Sequence, residues 1–163
     1  MNVDILEYAM QMEKDGEAYY KDMAAKSSHE GVKQILLMLA SDEVYHYEAF
    51  RSLMEKSYPG IGGSGILKKA RTIFSEMRES KKDLNSISSG VELYREAIEI
   101  EKKSESYYSI KAEEAEDPQE KAILLKIAED ERKHKYLLEN MVTFLSRPQK
   151  WIENSEFNHL DEY

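Results

Sequence analysis

A chain of 163 residues, 41% of them hydrophobic, carries enough apolar material for one ordinary domain around one core. A formal net charge of −9 with no basic stripe leaves nothing to neutralise phosphates, so nucleic-acid binding is not expected. The chain has no cysteine, which excludes disulfides, zinc–thiolate sites and iron–sulfur clusters. No run approaches the roughly 18 apolar residues of a membrane span. Met1 leads straight into Val3, Asp4 and Glu7 without a basic and then apolar leader, so a cytoplasmic protein without membrane contact is expected. Three prolines, seven glycines and no clean apolar–polar alternation give an all-α class.

Asp4, with Glu7 three residues on, reads as the capping box of a first helix running to about Lys26. Its inward stripe is Ala9, Glu13, Gly16, Tyr20, Met23 and Ala24. A short turn over 27–31 leads into a second helix with Leu36, Leu39, Ala40, Glu43, His46, Tyr47, Phe50, Leu53 and Met54 on one face. A glycine-rich stretch from Tyr58 to Gly65 ends it, and an amphipathic segment from Ile66 to about Ser80 reads as a short helix packed on the outside. After a polar loop over 85–90, a helix from Val91 carries Ala97, Glu101, Ser104, Tyr108 and Ala112 inward. Pro118, at a favoured first-turn position, opens a last helix with Leu124, Ile127, Ala128, Glu131, His134, Leu138 and Met141, ending near Ser146. The expected organisation is a bundle over 1–146, built from hairpins 5–55 and 91–145 joined by a crossover over 57–90. The tail 147–163, with Trp151, Ile152, Phe157, Leu160 and Tyr163, is expected to fold back on the bundle or on a second subunit.

A shift of 88 residues superposes the two halves without a gap, with 15 identities in the 38 positions from Ala9 to His46. It carries Glu13 onto Glu101, Glu43 onto Glu131 and His46 onto His134. In each half a histidine follows a glutamate by three residues, which puts both side chains on one helix face. That face is the apolar one, where an unpaired charge is costly. Two hairpins of one design imply a pseudo-two-fold bundle with six ligands at its centre. Four carboxylates balance two divalent ions, and a donor set rich in oxygen suits iron or manganese better than tetrahedral zinc. A glutamate from each of two helices, plus Glu-x-x-His from each of the other two, is the known ligand pattern of ferritin-like di-iron and di-manganese carboxylate proteins. On that pattern Glu43 and Glu131 bridge, Glu13 and Glu101 are terminal, and His46 and His134 serve one metal each.

These motifs resemble the rubrerythrin-like branch of the ferritin-like di-iron carboxylate family, over about residues 5–55 and 91–145. The resemblance implies a ferritin-like four-helix bundle with one long crossover, a pair of iron ions (manganese is the alternative), and redox chemistry with peroxide or dioxygen. Family members place an aspartate just before the glutamate of the motif, here Asp42 and Asp130. Metal-bound imidazoles give their second N–H to a carboxylate, so Asp130 is expected on His46 and Asp42 on His134, across the bundle. Tyr20 and Tyr108, nearly two turns after Glu13 and Glu101, match the family's tyrosines near the metals. They read as core tyrosines with a hydrogen bond in preference to redox-active radicals. Two departures stand out: Ser104 replaces a glutamate common in rubrerythrins, and the cysteines of a rubredoxin-like module are missing. Electrons are then expected from a separate donor such as a rubredoxin-like protein, and the resemblance implies a homodimer. Gly16 and Ser104, one turn from Glu13 and Glu101, are expected to leave room for the oxidant. Glu17 and Glu105 are placed at the rim, and His29 and His159 are given no role. The competing readings are a di-manganese catalase, an iron-handling ferroxidase and a metal-free helical scaffold.

Overall fold

A computed structural model describes residues 1–57, 65–80 and 90–146, the side chains of 78–80 excepted. Its helices are α1 (Val3–Lys26), α2 (Glu30–Met54), α3 (Ile66–Ser80), α4 (Val91–Glu114) and α5 (Pro118–Ser146). The expected loop over 85–90, apart from Gly90, most of the glycine-rich stretch and the whole tail 147–163 lie outside the described residues.

Local chemistry sets the ends. The cap of α1 is Asn2, not Asp4: its side-chain oxygen accepts the Asp4 N–H at 3.0 Å. Asp4 lies inside the first turn, where its charge meets the positive end of the helix dipole. His29, given no role on sequence grounds, caps α2, with Nδ1 accepting the Gly31 N–H at 3.1 Å. Asp117 accepts the Gln119 N–H at 2.8 Å, just ahead of Pro118. Gly90, at the start of α4, has a φ of 98°, a left-handed conformation that L side chains rarely adopt.

α1 packs along α2 and α4 along α5, forming two antiparallel hairpins. The core falls into two apolar clusters stacked along the bundle. One contains Tyr20, Met23, Leu36, Leu39, Ala97, Leu138 and Phe144. The other contains Leu6, Phe50, Leu53, Tyr108, Leu124 and Ile127. α1 and α4 pass from cluster to cluster in opposite senses, and so do α2 and α5 relative to them: α1 enters at Leu6 and leaves through Met23, while α4 enters at Tyr94 and leaves through Ala112. The last turn of α2, through Leu53, lies beside one cluster and α4 begins beside the other, so the connection spans the length of the bundle, as in ferritin-like folds. α3 lies on that connection and sends Ile66, Leu67, Ala70, Phe74 and Met77 into the first cluster. Its Phe74 ring meets Phe144 at 5.7 Å. The fold is therefore the all-α, ferritin-like bundle with a helix in its crossover. Two residues of the α2 stripe, Tyr47 and Met54, are only half-buried; the stripe widens past the core there, and Lys14 sits 5.1 Å from the Tyr47 ring. Among the described residues no helix is long and apolar enough to cross a membrane.

Candidate metal centre

Between the two apolar clusters the four long helices present Glu13, Glu43, His46, Glu101, Glu131 and His134 to one another. None is more than 4% exposed, so every charge there must be met within the protein. The six form two overlapping groups: Glu13, Glu43, His46 and Glu131 in one, and Glu43, Glu101, Glu131 and His134 in the other. Within each group the donor atoms lie within 4.8 Å of one another. Glu43 and Glu131 belong to both.

The imidazoles face the cluster through Nδ1. His46 Nδ1 is 2.9 Å from Glu131 Oε1 and 3.3 Å from Glu13 Oε2. His134 Nδ1 is 3.1 Å from Glu43 Oε1 and 3.4 Å from Glu101 Oε1. The other ring nitrogen points away from the cluster in each case. His46 Nε2 donates to Asp130 Oδ2 at 3.1 Å, and His134 Nε2 donates to Asp42 Oδ2 at 2.8 Å. Each aspartate thus reaches across to the opposite hairpin and would favour the tautomer whose Nδ1 can ligate a metal ion. The two rings stack at 5.7 Å with 23° between planes. The phenols also cross: Tyr20 donates to Glu101, and Tyr108 donates to Glu13.

The electrostatics are those of a cation site. Burial, then the charges of Glu13 and Glu101, push Glu43 well above the usual carboxylate range. Burial, then Glu101 and Glu43, do the same to Glu131. Burial alone would also raise Glu101, but Glu131, His134 and Tyr20 beside it outweigh that and hold it low. Burial favours neutral imidazoles, yet the surrounding carboxylates reverse this and raise both histidines well above their ordinary value. Glu43 Oε1, Glu101 Oε2, Glu131 Oε1 and His134 Nδ1 are buried without a well-aligned hydrogen bond, and all belong to the cluster. Orphaned donors of this kind, mostly oxygen with one imidazole per group, fit a pair of divalent ions of the iron type.

The rubrerythrin family model matches residues 4–143, which is most of the chain. The chain belongs to the rubrerythrin family. No curated protein and no solved structure gives a significant match. The family assignment and the two overlapping groups together give a rubrerythrin-type di-iron carboxylate centre in a ferritin-like bundle. With no cysteine in the chain, no iron–sulfur cluster accompanies it.

A cavity of about 340 Å³ between α1 and α4 reaches Glu43, Glu101 and Glu131, with Gly16 and Ser104 in its wall. α1 approaches closely there: a Cβ on Gly16 would lie 2.6 Å from Glu43 Oε2. Ser104, in the place of the glutamate common in the family, is buried and adds no further carboxylate. Glu17 and Glu105 are half-buried at the rim, paired with Lys21 and with Lys135 at 3.4 Å. Sequence reasoning passes over two contributors. Lys126 holds Asp130 Oδ1 at 3.0 Å, a pairing readable from its i,i+4 spacing. Tyr107 packs on Tyr108 as Tyr19 packs on Tyr20, and the signal was the Tyr-Tyr pair repeated in both halves.

Proposed function

We propose that this chain is a non-haem di-iron oxidoreductase that reduces peroxide, or reacts with dioxygen, in defence against oxidative stress. The observation that carries the reading is the sharing of Glu43 and Glu131 by both groups of donors. In this reading Glu43 and Glu131 would be shared by the two ions, Glu13 and Glu101 would each serve one of them, and His46 and His134 would each hold one. An iron pair, when bound, would supply the two electrons that peroxide reduction needs. The chain supplies the rest. Asp42 and Asp130 hold the imidazoles in register, and the Tyr20 and Tyr108 phenols hold the terminal carboxylates. The two apolar clusters keep water from the bundle axis, and the cavity between α1 and α4 gives a small oxidant a way in. Electrons come from a separate donor of the rubredoxin-like type.

The test begins with the metal-free chain loaded anaerobically with ferrous iron, followed by one equivalent of peroxide. The expected results are two irons per chain and, after peroxide, the near-ultraviolet absorption of an oxidised pair. Glu43→Ala and His46→Ala should lower the metal content. Unchanged content in both variants overturns the site, and oxygen evolution without any reductant moves the reading to a catalase.

A further inference from the structure

The aromatic surroundings of the centre are duplicated inside and different outside. Each terminal glutamate accepts a hydrogen bond from a tyrosine whose ring touches the preceding tyrosine. Tyr107 and Tyr108 lie 5.7 Å apart, and Tyr19 and Tyr20 lie 6.2 Å apart. Beyond these pairs the halves diverge. On the Glu13 side Tyr107 meets Tyr8 edge-on at 5.2 Å. On the Glu101 side the Tyr19 hydroxyl is shared between the Leu93 carbonyl at 2.9 Å and Glu96 Oε2 at 3.1 Å. Tyr8 and Glu96 are counterparts under the 88-residue shift. The same inner pair therefore ends in an aromatic ring on one side and a carboxylate on the other.

We propose that Tyr108, beyond the hydrogen-bonded core role expected from the sequence, forms with Tyr107 and Tyr8 a one-electron relay between the metal centre and the surface. Tyr8 is then the site at which phenol or thiol donors too bulky to enter the bundle are oxidised. The proposal rests on the peroxide-reducing reading above. Exposure rises outward along the three rings, from 0% at Tyr108 through a half-buried Tyr107 to 56% at Tyr8. A phenol gives up an electron readily only as it gives up its proton, and the Tyr108 hydroxyl already points at the Glu13 carboxylate. The proton moves along that bond as the electron moves inward, and it returns when Tyr107 refills Tyr108; Tyr107 and Tyr8, both reached by solvent, give their protons to water and regain them when refilled in turn. Among the described residues the other ring beside Tyr108 is Phe50, at 5.1 Å, which has no ionisable hydrogen and offers no branch. Lys111 lies 5.6 Å from the Tyr107 ring, but Glu114 at 2.8 Å offsets its charge.

The balance closes without further reactants. The O–O bond of peroxide breaks and takes up two electrons and two protons to give two waters. Two donor molecules at Tyr8 each lose one electron and one proton and leave as phenoxyl or thiyl radicals. Electrons entering at Tyr8 make the separate protein donor of the proposed function unnecessary for this route.

The test uses the full, iron-loaded chain with excess peroxide and a nitroso spin trap, without donor, followed by digestion and mass mapping of adducts. The expected result is a principal adduct on Tyr8, displaced to Tyr107 in Tyr8→Phe and lost from Tyr8 in Tyr107→Phe. Helical circular dichroism and iron content should be unchanged in both variants. Tyr45, 40% exposed on α2, is the control for non-specific labelling. Labelling of Tyr8 no greater than that of Tyr45, or equal labelling of Tyr8 in Tyr107→Phe, overturns the relay. Iron content and near-ultraviolet absorption in the same samples separate the two readings. A loaded, oxidised centre with no Tyr8 adduct removes the relay alone, whereas failure to bind iron removes the functional reading and the relay with it.

Discussion

Gly16→Ala should separate stability from metal binding. The added Cβ would stand 2.6 Å from Glu43 Oε2, 3.2 Å from its Cδ and 3.4 Å from its Cγ. Ordinary contact begins near 3.4 Å, so the carboxylate must retreat by the difference between 3.4 and 2.6 Å, about 0.8 Å. The obstacle is the end of a flexible side chain, so the metal-free protein can adjust. Replacing a mid-helix glycine by alanine stabilises by up to about 1 kcal/mol. For a chain of this size that leaves the metal-free melting temperature unchanged or raised by up to about 3 °C. A ligand, by contrast, tolerates displacement of only about 0.2 Å. Loss of one good bond from a bridging carboxylate should weaken metal binding at least about tenfold, equivalent to about 1.4 kcal/mol. The assay pairs thermal melting in chelator with competitive metal titration. Undiminished affinity for both ions would refute the placement of Glu43 as a bridge packed against α1.

Other perturbations test the same electrostatics. In the metal-free chain Glu43, Glu131, His46 and His134 are all raised, so the folded state binds more protons than the unfolded one. The histidine contribution is full below about pH 6.5 and is lost as pH rises through the folded values, while deprotonating the two glutamates forces uncompensated charge into the core. Melting in chelator should therefore fall from mildly acidic to mildly alkaline pH, while metal affinity rises because binding must expel these protons. A metal-free melting curve that improves with pH would contradict the assignment. Asp130→Asn and Asp42→Asn should each cost about 10- to 100-fold in metal affinity, read by competition with a chelator, with little change in helicity. Joint replacement of Glu43 and Glu131 by leucine should abolish metal binding yet raise the metal-free melting temperature, because it removes buried charge.

The helices are legible in the sequence because each long one carries an apolar stripe over five turns or more and Pro118 marks a start; α3 begins at Ile66 and α5 ends at Ser146, as the pattern requires. Caps are less legible. Asn2 and Asp4 are both good cap residues two positions apart, and only the hydrogen bond to the Asp4 N–H decides between them. The grouping of six donors is readable for a stronger reason: the repeat ties each residue to a counterpart, so one helical face predicts the other. Contacts that depend on the register between helices are not readable in this way. Nothing in the spacing within α1 places Tyr8 on Tyr107, or Gly16 against Glu43. Both follow from how closely and at what height α1 crosses its neighbours.

Those contacts between helices are also where the two halves stop being equal. A duplicated hairpin makes two like half-sites, and the six donors keep that likeness. The residues around them do not. Gly16 presses on Glu43, whereas its counterpart Ser104 carries a side chain. Tyr108 leads outward to an aromatic ring, and Tyr20 to a carboxylate. Inequivalent surroundings make inequivalent ion positions, because the partners of a ligand set its orientation and basicity. Titration of the metal-free chain with a divalent ion should therefore resolve two binding steps. Ser104→Gly should alter one step more than the other, since Ser104 lies one turn from Glu101, a donor of one group only. A titration with a single step and equal affinities would show that the divergence stops short of the metals, and that the repeat still governs the centre itself.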